Sequence, residues 1–223
     1  MSEDSARTQH QRSQQNGGRK PENKSAAKQQ RNLSGGGNQQ SAHKPAYELK
    51  QPVFFIGFMG AGKTSVSRRL ARMCHISSID MDAYLERRED KKVKEIFADS
   101  GEDGFRLIET DVLKELAAKD PLLISCGGGV IKRRENREFL NSAGYVVYLK
   151  VSADEAAGRI SDLSTRPLFQ NLDVARKTSE ERLPLYSEVA DAVVDTSGKS
   201  VGRIAAEVRE LLKKEGILCQ LQE

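Results

Sequence analysis

The chain has 223 residues, 36 Lys/Arg, 32 Asp/Glu, three cysteines, three histidines and a formal net charge of +4. Cys74, Cys126 and Cys219 lie far apart with no C-x-x-C spacing, which argues against a disulfide framework or zinc site and points to a reducing, cytoplasmic compartment. His75 is the one histidine outside the N-terminal 46 residues, so a His-based triad or His-rich metal site is excluded, and no apolar run approaches the length of a membrane-spanning helix.

Residues 1–46 contain one Leu and no Ile, Val, Phe or Trp. So little apolar surface cannot offset the entropy of ordering, and a disordered tail is expected over 1–48. The first 46 residues carry eight Lys/Arg against three Asp/Glu, net +5, and the rest 28 against 29, net −1. Basicity therefore belongs to the tail. A solvated extension is the plain reading, with nucleic acid not an expected partner. With no apolar h-region, no secretory signal is expected. One domain of ordinary size follows over 49–216, then a C-terminal tail over 217–223.

The first strand is expected over 52–56, where Val53-Phe54-Phe55-Ile56 is a continuous apolar run suited to burial on both faces. It leads into Gly57-Phe58-Met59-Gly60-Ala61-Gly62-Lys63-Thr64, the G-x-x-x-x-G-K-[ST] phosphate loop, with a helix expected over 63–73. In that context the N–H groups of Gly60, Ala61, Gly62, Lys63, Thr64 and Ser65 can surround nucleotide phosphates at a helix N-terminus. Lys63 can reach the β- and γ-phosphates, and the Thr64 hydroxyl can hold Mg²⁺.

A second strand is expected over 76–79, with Asp80-Met81-Asp82 after it and a helix over 82–89. Two carboxylates at a strand end can serve a metal and a substrate hydroxyl. The plain alternative is a capping pair, with Asp82 capping a helix from Ala83. Helices are expected over 93–99 and 103–118, the latter opened by Gly101-Glu102-Asp103-Gly104-Phe105-Arg106. Arg106 sits one turn in, where its planar fork could hold a carboxylate or simply face solvent. The third strand, 121–126, ends at Gly127-Gly128-Gly129, where a ligand could approach the backbone or the chain could merely turn. Ser125 occupies the strand position where many phosphate-loop proteins keep an acid.

A helix over 133–141, a strand over 145–151 and a helix over 153–161 come next. The polar loop 161–173 carries Arg166-Pro167 and is flanked by Arg159, a pattern suited to a lid that neutralises phosphoryl charge and excludes water. A helix over 174–189 bears Arg182, followed by a strand over 192–195 and a helix over 200–214. Alternating strands and helices imply a parallel sheet covered on both faces, with ligands at the carboxyl ends of the strands.

Taken in order, the phosphate loop 57–64, Asp80-x-Asp82, Gly101-Glu102-x-x-Phe105-Arg106, Gly127-Gly128-Gly129, Arg166-Pro167-Leu168 and Arg182 with Leu185-Tyr186 resemble the shikimate kinase family over about residues 52–215. The resemblance implies a three-layer α/β/α fold with a five-stranded parallel sheet in the order 2-3-1-4-5 and a mobile lid. It implies Mg²⁺-dependent phosphoryl transfer from ATP to the 3-hydroxyl of shikimate, in aromatic amino acid biosynthesis, by a monomer. On that resemblance Asp82 would bind the ring hydroxyls and act as base or orienter. Arg106 and Arg182 would grip the shikimate carboxylate, and Gly128 and Gly129 would offer backbone donors. Lys63 and Arg166 would stabilise the transferring phosphoryl group, with Thr64 on one Mg²⁺ ion and Asp80 behind it. Arg159 would stack on adenine, and Lys199 would be a further nucleotide contact. Phe169 falls where another apolar residue is usual and is expected to matter little.

Overall fold

The computed structural model describes residues 47–160 and 167–221, so the expectations for the 1–46 tail and for Arg166 lie outside the described residues. Five strands form the main sheet: β2 (Val53–Ile56), β3 (Ser78–Asp80), β4 (Leu123–Ser125), β5 (Tyr145–Lys150) and β6 (Ala192–Asp195). All pair in parallel in the order β3-β4-β2-β5-β6, which is 2-3-1-4-5 when the five are counted alone. The continuous apolar runs explain the arrangement. β2 is the central strand, and all four of its side chains are buried, as expected for a strand covered by helices on both faces.

Helices α1 (Lys63–Cys74) and α7 (Val201–Lys214) pack on each other, with α1 also over β2, β3 and β4. Helices α4 (Arg134–Ala143) and α6 (Leu172–Val189) pack together against β5. The first two each bury a stripe at helical spacing: Val66, Leu70 and Cys74 on α1, and Ile204, Val208 and Leu212 on α7. Helix α2 spans Met81–Glu89, and the short α5 (Ala153–Gly158) ends at Arg159.

The two helices expected over 93–99 and 103–118 run as one assigned element, α3 (Val93–Ala117), broken at Gly101. Gly101 has φ 68° and ψ −174°, which no helical residue adopts. The break lets Phe97 and Phe105, one on each side, stack at 4.3 Å between ring centroids.

Two features differ from the sequence reading. Tyr47–Leu49 forms a strand, β1, paired antiparallel with β7 (Leu218–Gln220), so part of each segment read as a tail is built into a two-stranded sheet. Leu49, Ile217 and Leu218 are buried there. Both strands are three residues long, too short for their alternation to be read. Phe169, expected to matter little, is 5 % exposed and meets Phe58 of the phosphate loop edge-on at 5.7 Å.

Candidate active site

The loops that follow β2, β3 and β4 emerge side by side at the carboxyl end of the sheet. Register explains their proximity: Asp80 pairs with Ser125, and Ser125 with Phe55. Neighbouring strands lie about 4.8 Å apart, so Asp80 and Ser125 sit beside the start of the phosphate loop.

After β2 the loop turns through Gly60 and Gly62, at φ 83° and 90°. Gly62 is the N-cap of α1 and has no side chain to satisfy the first helical N–H groups, leaving them to a ligand anion. Ala61 N–H donates to the Phe58 carbonyl at 3.1 Å and closes the turn. Lys63 Nζ donates to the carbonyls of Gly57 (2.9 Å) and Phe58 (3.2 Å), holding the ammonium across the loop. Ser65 is exposed in the first turn of α1.

Thr64 Oγ1 donates to Asp80 Oδ2 at 2.5 Å and lies 3.1 Å from Ser125 Oγ. Asp80 Oδ1 accepts from Ala83 N–H at 3.0 Å, so Asp80, not Asp82, caps α2. The capping alternative for Asp82 is thereby corrected: the helix starts at Met81, one residue earlier than expected, and Asp82 lies in its first turn. Asp80 links a helix cap to the loop hydroxyl, and Ser125 joins them where the sequence showed only a missing acid. Among the described residues no group of three His, Cys, Asp or Glu side chains could cage a metal. Mg²⁺ suits this oxygen set nonetheless, since it takes one or two protein oxygens and fills its octahedron with water and phosphate.

A second cluster surrounds Gly127-Gly128-Gly129. A β-carbon placed on Gly127 would lie 2.8 Å from Glu109 Oε1 and 2.9 Å from Asp82 Oδ1, so two carboxylates from different helices meet over that glycine. A β-carbon on Gly129 would fall 2.5–2.7 Å from the Arg106 guanidinium, which lies against the bare backbone. Arg106 Nη1 donates to Glu109 Oε2 at 2.5 Å, and the other side of the fork makes longer contacts of 3.3 and 3.4 Å to Glu102. The Arg106 side chain is 13 % exposed and that of Glu102 50 %, so a ligand carboxylate can exchange for Glu102 at little cost.

Glu109 is the residue the sequence reading missed. It is 1 % exposed. Burial pushes its carboxyl above the ordinary value, against the pull of the Arg106 guanidinium and with Asp82 adding to the rise. The available signal was its place three residues after Arg106, one helical turn along the same face. From α6, Arg182 Nη1 donates to the Gly128 carbonyl at 3.2 Å and the Tyr186 hydroxyl to the same oxygen at 2.5 Å. The Cys126 thiol is buried, and burial pushes it far up, so it is inert packing.

Arg159 is held at the turn that follows β6. It donates to Thr196 Oγ1 (2.9 Å), the Thr196 carbonyl (2.6 Å) and Glu155 (2.7 Å). Glu155 also accepts from Gly198 N–H at 2.8 Å, tying α5 to that turn. Lys199 is in the same turn, but its Nζ pairs with Glu207 of α7 at 2.7 Å. The described residues thus bring together Thr64, Asp80 and Lys63, then Asp82, Arg106, Gly128, Gly129 and Arg182, and place Arg159 by the 196–199 turn.

A phosphate loop at the end of the central strand, with carboxylates and arginines gathered at the next strand ends, defines a phosphate-loop kinase for a small acceptor. A family model described as shikimate kinase matches residues 59–213, and the chain belongs to the shikimate kinase family. It is accordingly a phosphotransferase. A shikimate kinase of Alteromonas mediterranea is 40 % identical over 162 residues, covering 71 % of this chain and 95 % of its own. One from Buchnera aphidicola is 37 % identical over 169 residues, covering 74 % and 98 %. Among solved structures, the Acinetobacter baumannii shikimate kinase in complex with shikimate has a TM-score of 0.70 at 35 % identity, covering 74 % of this chain and 94 % of that one. The Aquifex aeolicus shikimate kinase gives 0.66 at 32 %, covering 74 % and 98 %.

Proposed function

We propose that this protein transfers the γ-phosphoryl group of ATP to the 3-hydroxyl of shikimate, giving shikimate 3-phosphate and ADP. The observation that carries the reading is the convergence of Asp82, Arg106, Glu109 and Arg182 on the Gly127–Gly129 turn beside the phosphate loop. Shikimate is an anionic polyol, so its site needs cations for one carboxylate and an acceptor for hydroxyls. Arg106 and Arg182 meet the first need and Asp82 the second.

The loop N–H groups from Gly60 to Ser65 bind the phosphates, and Lys63 offsets the charge that spreads over the transferring group. Arg166, by its place in Arg166-Pro167-Leu168, adds the lid cation. Thr64 and Asp80 would hold Mg²⁺, which would supply positive charge to offset that of the nucleotide phosphates. Arg159 takes the adenine face, with Lys199 beside it. Asp82 accepts the hydrogen bond of the 3-hydroxyl and takes its proton as that oxygen forms the new P–O bond and the bond to ADP breaks. Gly128 and Gly129 offer the ring hydroxyls backbone donors. A monomer is proposed on the family resemblance, and three free thiols suit the cytoplasm. No described helix is long and apolar enough to cross a membrane.

The decisive assay is ADP release with Mg²⁺-ATP and, in parallel, shikimate, gluconate and nucleoside monophosphates. Release with shikimate alone is expected. Release with another acceptor only would keep the kinase and discard the acceptor site proposed for shikimate.

A further inference from the structure

The Gly127–Gly129 turn runs into a 3₁₀ turn at Val130–Lys132, and five successive carbonyls in this stretch each accept a hydrogen bond. Gly127 accepts from Val130 N–H (3.2 Å) and Gly129 from Lys132 N–H (3.0 Å). Val130 accepts from the Asn136 amide and Ile131 from Arg137, each at 2.9 Å. Four of the five carbonyls are thus served from the turn itself or from α4. The Gly128 carbonyl is served from α6 instead, by Tyr186 at 2.5 Å and Arg182 at 3.2 Å.

That difference matters because Gly128 O and Gly129 N–H belong to one peptide. In a trans peptide they point in opposite directions across a rigid plane. Whatever holds the oxygen toward α6 aims the Gly129 N–H away from it. A glycine-rich segment has no β-carbons to restrict that plane, so its orientation depends on the bonds made to it. Tyr186 is well placed to fix it. The residue is 1 % exposed and stacks on Tyr148 of β5 at 5.1 Å and 21°. Its ring is immobilised by the sheet, and its hydroxyl is the shorter of the two contacts. Burial also raises the phenol far above its ordinary range, so it stays a donor.

We propose that Tyr186 is a positioning residue for the acceptor, locking the Gly128–Gly129 peptide so that the Gly129 N–H faces the bound polyol. This rests on the reading of the acceptor as shikimate. Arg182 and Tyr186 lie at i and i+4 on α6, so one helix face would supply both a cation for the substrate and the restraint on its backbone donor. Tyr186 acts through the peptide and does not itself touch the substrate.

The experiment compares the full chain with Tyr186→Phe, which keeps the ring and removes only the hydroxyl, and with Tyr148→Phe as a control that leaves the Gly128 contact in place. Shikimate dissociation constants, KM for shikimate and ATP, kcat and Tm are measured for all three. For Tyr186→Phe the shikimate Kd and KM are expected to rise about three- to tenfold, with ATP KM and kcat within about twofold of wild type, in keeping with one backbone hydrogen bond. Tyr148→Phe should match wild type in shikimate affinity. An unchanged shikimate Kd in Tyr186→Phe, with or without a lower Tm, overturns the proposal, as does an equal loss in Tyr148→Phe. In the wild-type protein the Gly129 amide resonance should move downfield when shikimate is added. A resonance that stays put overturns the proposal even if the variant fails to fold. Failure of the underlying reading shows separately, as a wild type that neither binds nor phosphorylates shikimate, and the proposal falls with it.

Discussion

The phosphate loop and the acceptor cluster lie side by side but are built differently. The loop is one continuous stretch, Gly57–Thr64, whose geometry comes from its own glycines and the helix it opens. The acceptor cluster draws Asp82 from α2, Arg106 and Glu109 from α3, the glycine turn from the end of β4, and Arg182 and Tyr186 from α6. A local motif depends on sequence spacing, whereas a dispersed one depends on the whole fold arriving in register. The loop should therefore tolerate remote changes that the acceptor cluster does not, and changes in the acceptor cluster should leave ATP binding untouched.

The largest effect is expected at Lys63. Lys63→Ala should cut kcat by roughly 10³-fold or more with little change in Tm, and substantial residual turnover would remove the lysine from phosphoryl stabilisation. Asp82→Asn should lower kcat by about 10²–10⁴-fold while ATP affinity stays near wild type. A loss below about threefold would show that the carboxylate takes no part in catalysis, and a weakened ATP affinity would break the division between the regions. Arg106→Ala should raise the shikimate KM at least about tenfold and leave ATP binding alone. Equal weakening of both ligands would mean that the clusters are coupled through the sheet.

The smallest effect concerns Glu109. Its folded-state pKa is raised above the ordinary 4.5, so the folded chain holds the proton more tightly than the unfolded one. Its contribution to stability is greatest below 4.5 and is lost as pH rises from there through the raised value. Glu109→Gln removes that dependence. Melting curves of both proteins from mildly acidic to neutral pH should show the Tm difference moving in the variant's favour by roughly a few degrees as pH rises. A pH-independent difference would show that Arg106 fully compensates the buried carboxylate.

The same contrast governs how much the sequence disclosed. The strands of the parallel sheet, the phosphate loop and the break between 99 and 103 were legible because each rests on a contiguous pattern: an apolar run, a spaced glycine set, or a glycine within helical periodicity. The strand order came only with the family resemblance. In the acceptor cluster, Asp82, Arg106 and Arg182 were picked out through a family resemblance, and their residue types alone left plain alternatives open. Glu109 was not legible, since an acidic residue on an amphipathic helix reads as solvent-facing until the fold places Gly127 and Asp82 against it. Ser125 was noticed only for not being an acid, and its contact with Thr64 follows from strand register, which no single strand reveals. Phe169 was discounted as one apolar residue in place of another, and its contact with Phe58, more than a hundred residues away, shows only in the fold. β1 and β7 are too short to carry any periodic signal.

That last pair has a practical consequence. Tyr47 and Gln220 stand opposite each other in an antiparallel ladder, about 5 Å apart at their α-carbons. A two-residue turn inserted between them would convert the pair into a hairpin and make the described fold a closed ring. New ends could then be opened at the exposed Lys119-Asp120-Pro121 connection between α3 and β4, on the route by which circular permutants are made. Such a permutant would place the phosphate loop in mid-chain and end on β3, α2 and α3, so its folding rate would report whether the central strand or its neighbours nucleate the sheet.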